Sequence, residues 1–257
     1  MKRLENRIAL VTGASAGIGL AIARALAAEG AHLLLAARRV DRLEALALEL
    51  AQAHGTRTHL LALDVRIRRA VEAAIAGLPA EWKGIELLVN NAGLSRGLDK
   101  LHQGSIDDWE EMLDTNVKGL LYVTRAVVPG MVERAAGHVI NLGSIAGREV
   151  YPNGNVYCAS KYAVRALTTG LRVDLIGTPI RVSTVDPGLV ETEFSIVRFH
   201  GDTERAKTIY RGLTPLSAED VADAITYVAT RPAHMNIAEL VLLPTDQASA
   251  TVVHRRS

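Results

Sequence analysis

The 257-residue chain reads as an α/β protein, doubly wound around a parallel sheet of about seven strands and spanning residues 1–257 as one domain. Three observations predict this. Short runs apolar on both faces recur along the chain, as strands covered by helices on two sides require. Between them lie longer stretches with apolar residues at helical spacing. No sequence repeat, Ser/Gly/Pro-rich linker or shift in composition marks a second domain.

Ile8 to Val11 predicts the first strand. After a cluster of glycines, Ile18, Ala21, Ile22, Ala25 and Leu26 carry a helix up to Gly30, a suitable stop. His32–Ala37 reads as the second strand. A charged amphipathic helix follows, with Leu43, Leu46 and Leu50 on one face and Gly55 at its end. His59–Leu63 is a third strand, Arg68–Ile75 a helix and Leu87–Val89 a fourth strand. Ile106 to Val132 is a long helical stretch that its glycines and Pro129 bend or split. His138–Leu142, Val182–Val185 and Leu240–Leu243 supply three more strands, with helices around Tyr157–Leu175 and Ala218–Ala229 between them. Strands joined by crossovers this long run parallel, with right-handed connections.

Composition excludes several classes. Twenty-nine basic against 28 acidic residues give a net charge of +1, and no stretch holds the basic surplus that nucleic-acid phosphates require. One cysteine rules out an internal disulfide framework and a cysteine zinc site. The eight histidines are scattered, and Asp107, Asp108, Glu110 and Glu111 read as a solvated helix start, so no metal is expected. The opening MKRLENRIALVTG reaches glycine before a signal-length apolar run develops, and no run of about 18 apolar residues follows. The expectation is a soluble cytoplasmic protein with no membrane partner.

The first strand leads through Gly13, Ser15, Gly17, Ile18 and Gly19 directly into a helix. Glycine lets the backbone approach a ligand, and the helix N-terminus offers unpaired N–H groups to a pyrophosphate. The spacing is GxxxGxG, so this is a nucleotide turn by context rather than by the GxGxxG pattern. A carboxylate at the end of strand two would bind the adenosine ribose of NAD and repel a 2′-phosphate. Here Ala37 is followed by Arg38 and Arg39, with no acid before Asp41. An arginine fork suits a phosphate, with Ser15 adding a hydroxyl, so NADP(H) is the expected cofactor. Asp64 and Val65 end strand three near the adenine position. Asn91, Ala92 and Gly93 end strand four beside the cleft.

Tyr157 and Lys161 stand four residues apart and share one helix face. A cation there favours the phenolate. Ser144 ends strand five, where parallel sheets present ligand-facing groups. Its hydroxyl can hold a substrate oxygen while Tyr157 exchanges a proton with that oxygen.

On these motifs the chain resembles the short-chain dehydrogenase/reductase family, a Rossmann-type fold, over nearly its whole length. The resemblance implies a catalytic tetrad of Asn116, Ser144, Tyr157 and Lys161. Asn116 would place a water in a proton relay, and Lys161 would hold the nicotinamide ribose and lower the Tyr157 pKa. It also places Pro187, Gly188, Val190 and Thr192 against the nicotinamide. The segments 146–152, 190–195 and 244–247 resemble a narrower branch: NADP-dependent serine, allo-threonine and 3-hydroxy acid dehydrogenases. That branch implies an oxidoreductase acting on the β-hydroxyl or carbonyl of a small acid. A general carbonyl or 3-ketoacyl reductase is the alternative, and an inactive NADP-binding regulatory protein a remote one.

A carboxylate substrate calls for a cation near the pocket. Arg148, Arg198 and Arg96 are the candidates. Phe194, Ile196, Val197 and Phe199 read as a lid within residues 190–212, closing over Ser144 and the nicotinamide, or as core for a small helix pair. Cys158 adjoins the tyrosine but points elsewhere. Family members usually form homotetramers, and the tail 244–257 is expected to reach a neighbouring subunit.

Overall fold

The computed structural model describes residues 2–256. Its sheet has seven strands, all parallel: β1 (Ile8–Thr12), β2 (His32–Ala37), β3 (Thr58–Ala62), β4 (Ile85–Asn90), β5 (His138–Leu142), β6 (Arg181–Pro187) and β7 (Glu239–Leu242). Their spatial order is β3-β2-β1-β4-β5-β6-β7. The chain therefore leaves β1 in one direction, returns after β3 and continues from β4 in the other. Such a reversal opens a crevice at the carboxyl ends of β1 and β4, the place where doubly wound sheets bind ligands.

Strand periodicity sorts the core into two layers. Ala9, Val11, Leu33, Leu35 and Val89 face one side with α1 (Gly17–Ala28), α2 (Val40–His54) and α9 (Ala218–Ala229). Leu10, Leu34, Leu88 and Val139 face the other, against α3 (Arg68–Ala76) and α5 (Leu120–Glu133). Leu171 and Leu175, at the end of α6 (Asn155–Asp174), pack on this second layer. Both faces of the central strands are covered, which is why β1 and β5 are buried at every residue. The end of α2 is as expected: Gly55 caps it at φ 66°, a left-handed conformation that glycine adopts without strain.

The long helical stretch divides at Gly119, one of its glycines, and not at Pro129. α4 (Ile106–Leu113) and α5 are joined by a π-helical segment, Asp114–Gly119, while Pro129 sits inside α5 without ending it. Two short helices occupy the expected lid segment, α7 (Phe194–Arg198) and α8 (Thr203–Thr208). No helix among the described residues is long and apolar enough to cross a membrane.

The tail makes several contacts within its own chain. Gln247 bridges to Val253, Arg256 pairs with Asp246 at 2.8 Å, and Arg255 donates to the carbonyls of Ile209 and Arg211. The tail thus finds partners on segment 203–214 of its own chain.

Candidate active site

A cavity of about 720 Å³ opens over the carboxyl ends of the strands and takes in both halves of the predicted site. In the nucleotide half, Gly13 has φ 68° and lies so close to β4's exit that an added Cβ would stand 2.9 Å from Asn91 Nδ2. A Cβ on Gly19 would collide with the Gly13 carbonyl oxygen. Thr12 Oγ1 accepts the N–H groups of Asn91 and Ala92, each at 3.0 Å, which ties the two sides of the crevice together. The N-terminus of α1 has no side-chain cap. Its first N–H groups are thus left for a ligand, in a cradle whose glycines keep it free of side chains. These features fit a dinucleotide pyrophosphate.

At the far corner, Ala37 ends β2 and Arg38 stands exposed on the cavity wall. Arg39 Nε donates to Ser15 Oγ at 3.3 Å. Asp64 and Val65 also line the cavity, and Arg66 donates to Asp64, holding its carboxyl below the usual range.

In the catalytic half, Tyr157 and Lys161 project from α6 and are both buried. Lys161 Nζ donates to the Leu142 carbonyl at 2.8 Å and lies 6.0 Å from the Tyr157 ring centroid. Burial lowers its pKa to about 8, against the opposing charge of Asp186. Burial pushes the Tyr157 phenol up, assisted by Tyr151, while Arg198 and the Ser144 hydroxyl pull it back. Ser144 Oγ accepts the Ala146 N–H at 3.1 Å and donates to the Pro187 carbonyl at 3.4 Å, so it sits between β5 and β6 at the cavity floor. Gly188, Val190, Thr192 and Phe194 continue the wall.

A family model described as short chain dehydrogenase matches residues 7–202. The chain belongs to the short-chain dehydrogenase family. It is 51% identical over 250 residues to the NADP-dependent 3-hydroxy acid dehydrogenase YdfG of Salmonella typhi, covering 96% of this chain and 99% of that one. It is 48% identical to sulfoacetaldehyde reductase 2 of Chromohalobacter salexigens, covering 96% and 98%. Among solved structures it superposes on the closed form of serine dehydrogenase complexed with NADP+ with a TM-score of 0.90. That match has 48% identity and covers 97% of this chain and all of the other.

Several details of this short-chain dehydrogenase differ from the sequence expectation. Two of the three arginines are spent elsewhere. Arg148 lies off the cavity, bound to Asp186 at 2.6 Å and Glu239 at 2.5 Å. Arg96 pairs with Glu111 at 2.7 Å and donates to the Val197 carbonyl. Glu111 is consequently a structural partner, not part of a solvated helix start. Arg198 alone lines the cavity.

Asn116 serves the fold directly: Oδ1 accepts the Leu94 N–H at 2.8 Å, and Nδ2 donates to the Leu94 carbonyl at 2.8 Å and to Ser160 Oγ at 3.0 Å. Of the expected lid residues, Phe194 and Val197 line the cavity, whereas Phe199 is buried under Arg205. Cys158 is buried with Leu94 and Met112, and burial pushes its thiol up.

The sequence reading missed Ser95, Tyr151, Glu193 and the cavity-lining tail residues Gln247 and Arg255. Tyr151, Glu193 and Gln247 lay in segments that carried the resemblance without being singled out; Ser95 and Arg255 gave no signal, because only the tertiary fold brings Ser95 to Arg198 and Arg255 to the cleft.

Proposed function

We propose that the protein is an NADP(H)-dependent oxidoreductase that interconverts the β-hydroxyl and carbonyl of a small 3-hydroxy acid, of the serine, allo-threonine or 3-hydroxypropionate type. One observation carries the substrate class. Arg198 is 8% exposed, lines the cavity and hydrogen-bonds only neutral hydroxyls, Ser95 Oγ and Tyr151 Oη, each at 3.0 Å. No carboxylate among the described residues pairs with it. A buried cation without a counter-charge is costly, and the acid group of a substrate supplies that charge. The guanidinium carbon lies 5.3 Å from the Tyr157 ring centroid, so acid anchor and proton donor are a few bonds apart.

The glycine turn and the N-terminus of α1 hold the pyrophosphate, and Arg38 and Arg39 with Ser15 receive the 2′-phosphate. The nicotinamide, when bound, supplies or accepts hydride at the reacting carbon. Ser144 Oγ donates a hydrogen bond to the substrate oxygen and fixes its position. Tyr157 Oη gives that oxygen a proton during reduction and removes it during oxidation. Lys161 holds the ribose and, when charged, favours the phenolate. Phe194 and Val197 close the cavity over the reacting atoms and exclude water.

Initial rates with 3-hydroxypropionate, 3-hydroxyisobutyrate, serine and allo-threonine, each with NADP+ and NAD+, test the reading. Turnover of the acids with NADP+ is expected. Equal turnover of neutral alcohols of the same size would remove the acid anchor. Reduction of sulfoacetaldehyde in preference to malonic semialdehyde would shift the acid from carboxylate to sulfonate, which Arg198 accommodates equally well.

The same reading makes the enzyme a cytoplasmic homotetramer. Exposed apolar side chains on the outer faces support assembly: Leu113 on α4, Leu121 on α5, Tyr162 and Val173 on α6, and Val241 on β7. Light scattering after size exclusion measures the mass, and a monomer at micromolar concentration would overturn this part.

A further inference from the structure

Glu193 is the residue that opens α7, on the segment that forms one wall of the cleft. Its two carboxylate oxygens are divided between two arginines on the opposite side. Oε2 accepts from Arg39 Nη1 at 3.0 Å, and Oε1 from Arg42 Nη1 at 2.8 Å. Arg39 also donates through Nε to Ser15 Oγ. The guanidinium that joins Ser15 in the phosphate corner is therefore already engaged by an oxyanion from the protein itself. The anchoring is local: the preceding Thr192 rests against Gly17 of the glycine turn, 3.2 Å from where a Cβ would stand. All three side chains of the bridge are more than two-fifths exposed, so it is weak enough to be exchanged for another anion.

We propose that the Glu193 carboxylate is an internal stand-in for the cofactor's 2′-phosphate, and that the phosphate displaces it and so releases the start of α7 from α2. This rests on the NADP(H) reading above and adds a coupling between recognition of the 2′-phosphate and the position of the cleft wall. An oxyanion held between Arg39 and Arg42 is geometrically what a phosphate monoester would replace, since both present paired oxygens to guanidinium N–H groups. NAD+, which has no phosphate there, leaves the bridge intact. Glu193 then acts as a specificity residue in two ways. It competes with the phosphate, and it makes the phosphate-bearing cofactor the one that frees the segment carrying Phe194 and Arg198.

The test is Glu193→Gln beside Glu191→Gln, which removes the same charge from the same segment without touching either arginine. Dissociation constants for NADP+, NAD+ and 2′-AMP are measured by calorimetry at low and high salt, with hydrogen exchange of residues 190–212 in the protein without nucleotide. Glu193→Gln is expected to tighten NADP+ and 2′-AMP roughly three- to tenfold, an effect that fades with salt, to leave NAD+ unchanged and to speed exchange in 190–200. In wild type, 2′-AMP should speed exchange there as the substitution does. Equal tightening by Glu191→Gln would reduce the effect to net charge and overturn the proposal. So would weaker NADP+ binding by Glu193→Gln, which would mean that carboxylate and phosphate share the arginines. Wild type that prefers NAD+ would refute the cofactor reading instead, and an inert Glu193→Gln in a protein that prefers NADP+ would refute the stand-in alone.

Discussion

At Tyr157 a buried phenol, a serine hydroxyl and two cations meet within one small cavity, and each can be altered separately. Tyr157→Phe keeps the ring against Phe194, 5.7 Å between centroids, but deletes the proton route. Turnover should fall by roughly 10²–10⁴-fold, while the dissociation constant for NADP+, read by nucleotide fluorescence, stays within about twofold. Arg198→Met should raise KM for the acid substrates by roughly 10–100-fold, the value of a charged hydrogen-bonded anchor, and leave a neutral ketone of similar size unaffected in parallel assays. Lys161 yields a pH prediction. Its pKa is about 8 in the fold against the ordinary 10.5, so between those values the unfolded chain holds a proton that the folded chain has released. Stability contributed by this group therefore rises from pH 8 towards 10. Urea unfolding of wild type and Lys161→Met across that range should show the rise in wild type only. Asn116 came only with the family resemblance, but the meeting of Ser144, Tyr157 and Lys161 in one cleft was legible in the sequence, because their spacing is local or fixed to a strand end. The identity of the acid anchor was not: Arg96, Arg148 and Arg198 are alike in sequence, and only the positions of Glu111, Asp186 and Glu239 distinguish them.

The elements themselves were readable wherever one periodicity ran unbroken; β2, β5 and α9 begin and end where their apolar patterns do. A break near Gly119 was readable, but its π-helical form was not, because that depends on a loop 22 residues before Asn116. Asn116 must reach both the N–H and the carbonyl of Leu94, and Gly119 must pass so near Val65 that a Cβ would stand 2.7 Å from Cγ2. Asn116→Ala leaves two buried backbone groups of Leu94 without partners and should cost about 1–3 kcal/mol in chemical denaturation. At the opposite end of the sheet, His138 opens β5 wholly among protein groups. Its Nε2 meets Ser183 Oγ at 2.8 Å, its Nδ1 has no partner among the described residues, and burial lowers its pKa to about 3. The unfolded chain binds this proton from about pH 6.5 downwards, so stability is lost as pH falls through that interval. His138→Asn should flatten the acid limb of a stability–pH curve measured between pH 3.5 and 7.

On the scale of the molecule, the tail has intrachain partners that the sequence did not announce. Its apolar pair Val252-Val253 invited a partner outside the chain, yet Arg255 and Arg256 are matched by carbonyls and a carboxylate within it. Truncation after Ala248 should therefore raise KM through loss of the cavity-lining Ala250, Thr251, Val253 and Arg255. A loss that is the same at every protein concentration, read from progress curves over a hundredfold dilution, would assign it to these intrachain contacts, and a loss that grows on dilution would assign it to a neighbouring subunit. The strand order has a consequence for synthesis. β1 is complete once Thr12 has emerged; β2 can join one of its edges promptly, and β3 the far edge of β2. The other edge of β1 must wait for Ile85–Asn90, and Thr12 stays without the Asn91 and Ala92 amides until then. An apolar, unpaired strand edge is the kind that pairs with other chains. Release of a nascent fragment ending near residue 80 should thus aggregate or engage chaperones, whereas one that includes β4 should resist limited proteolysis. The vulnerable interval for this protein lies on the ribosome, between its third strand and its fourth.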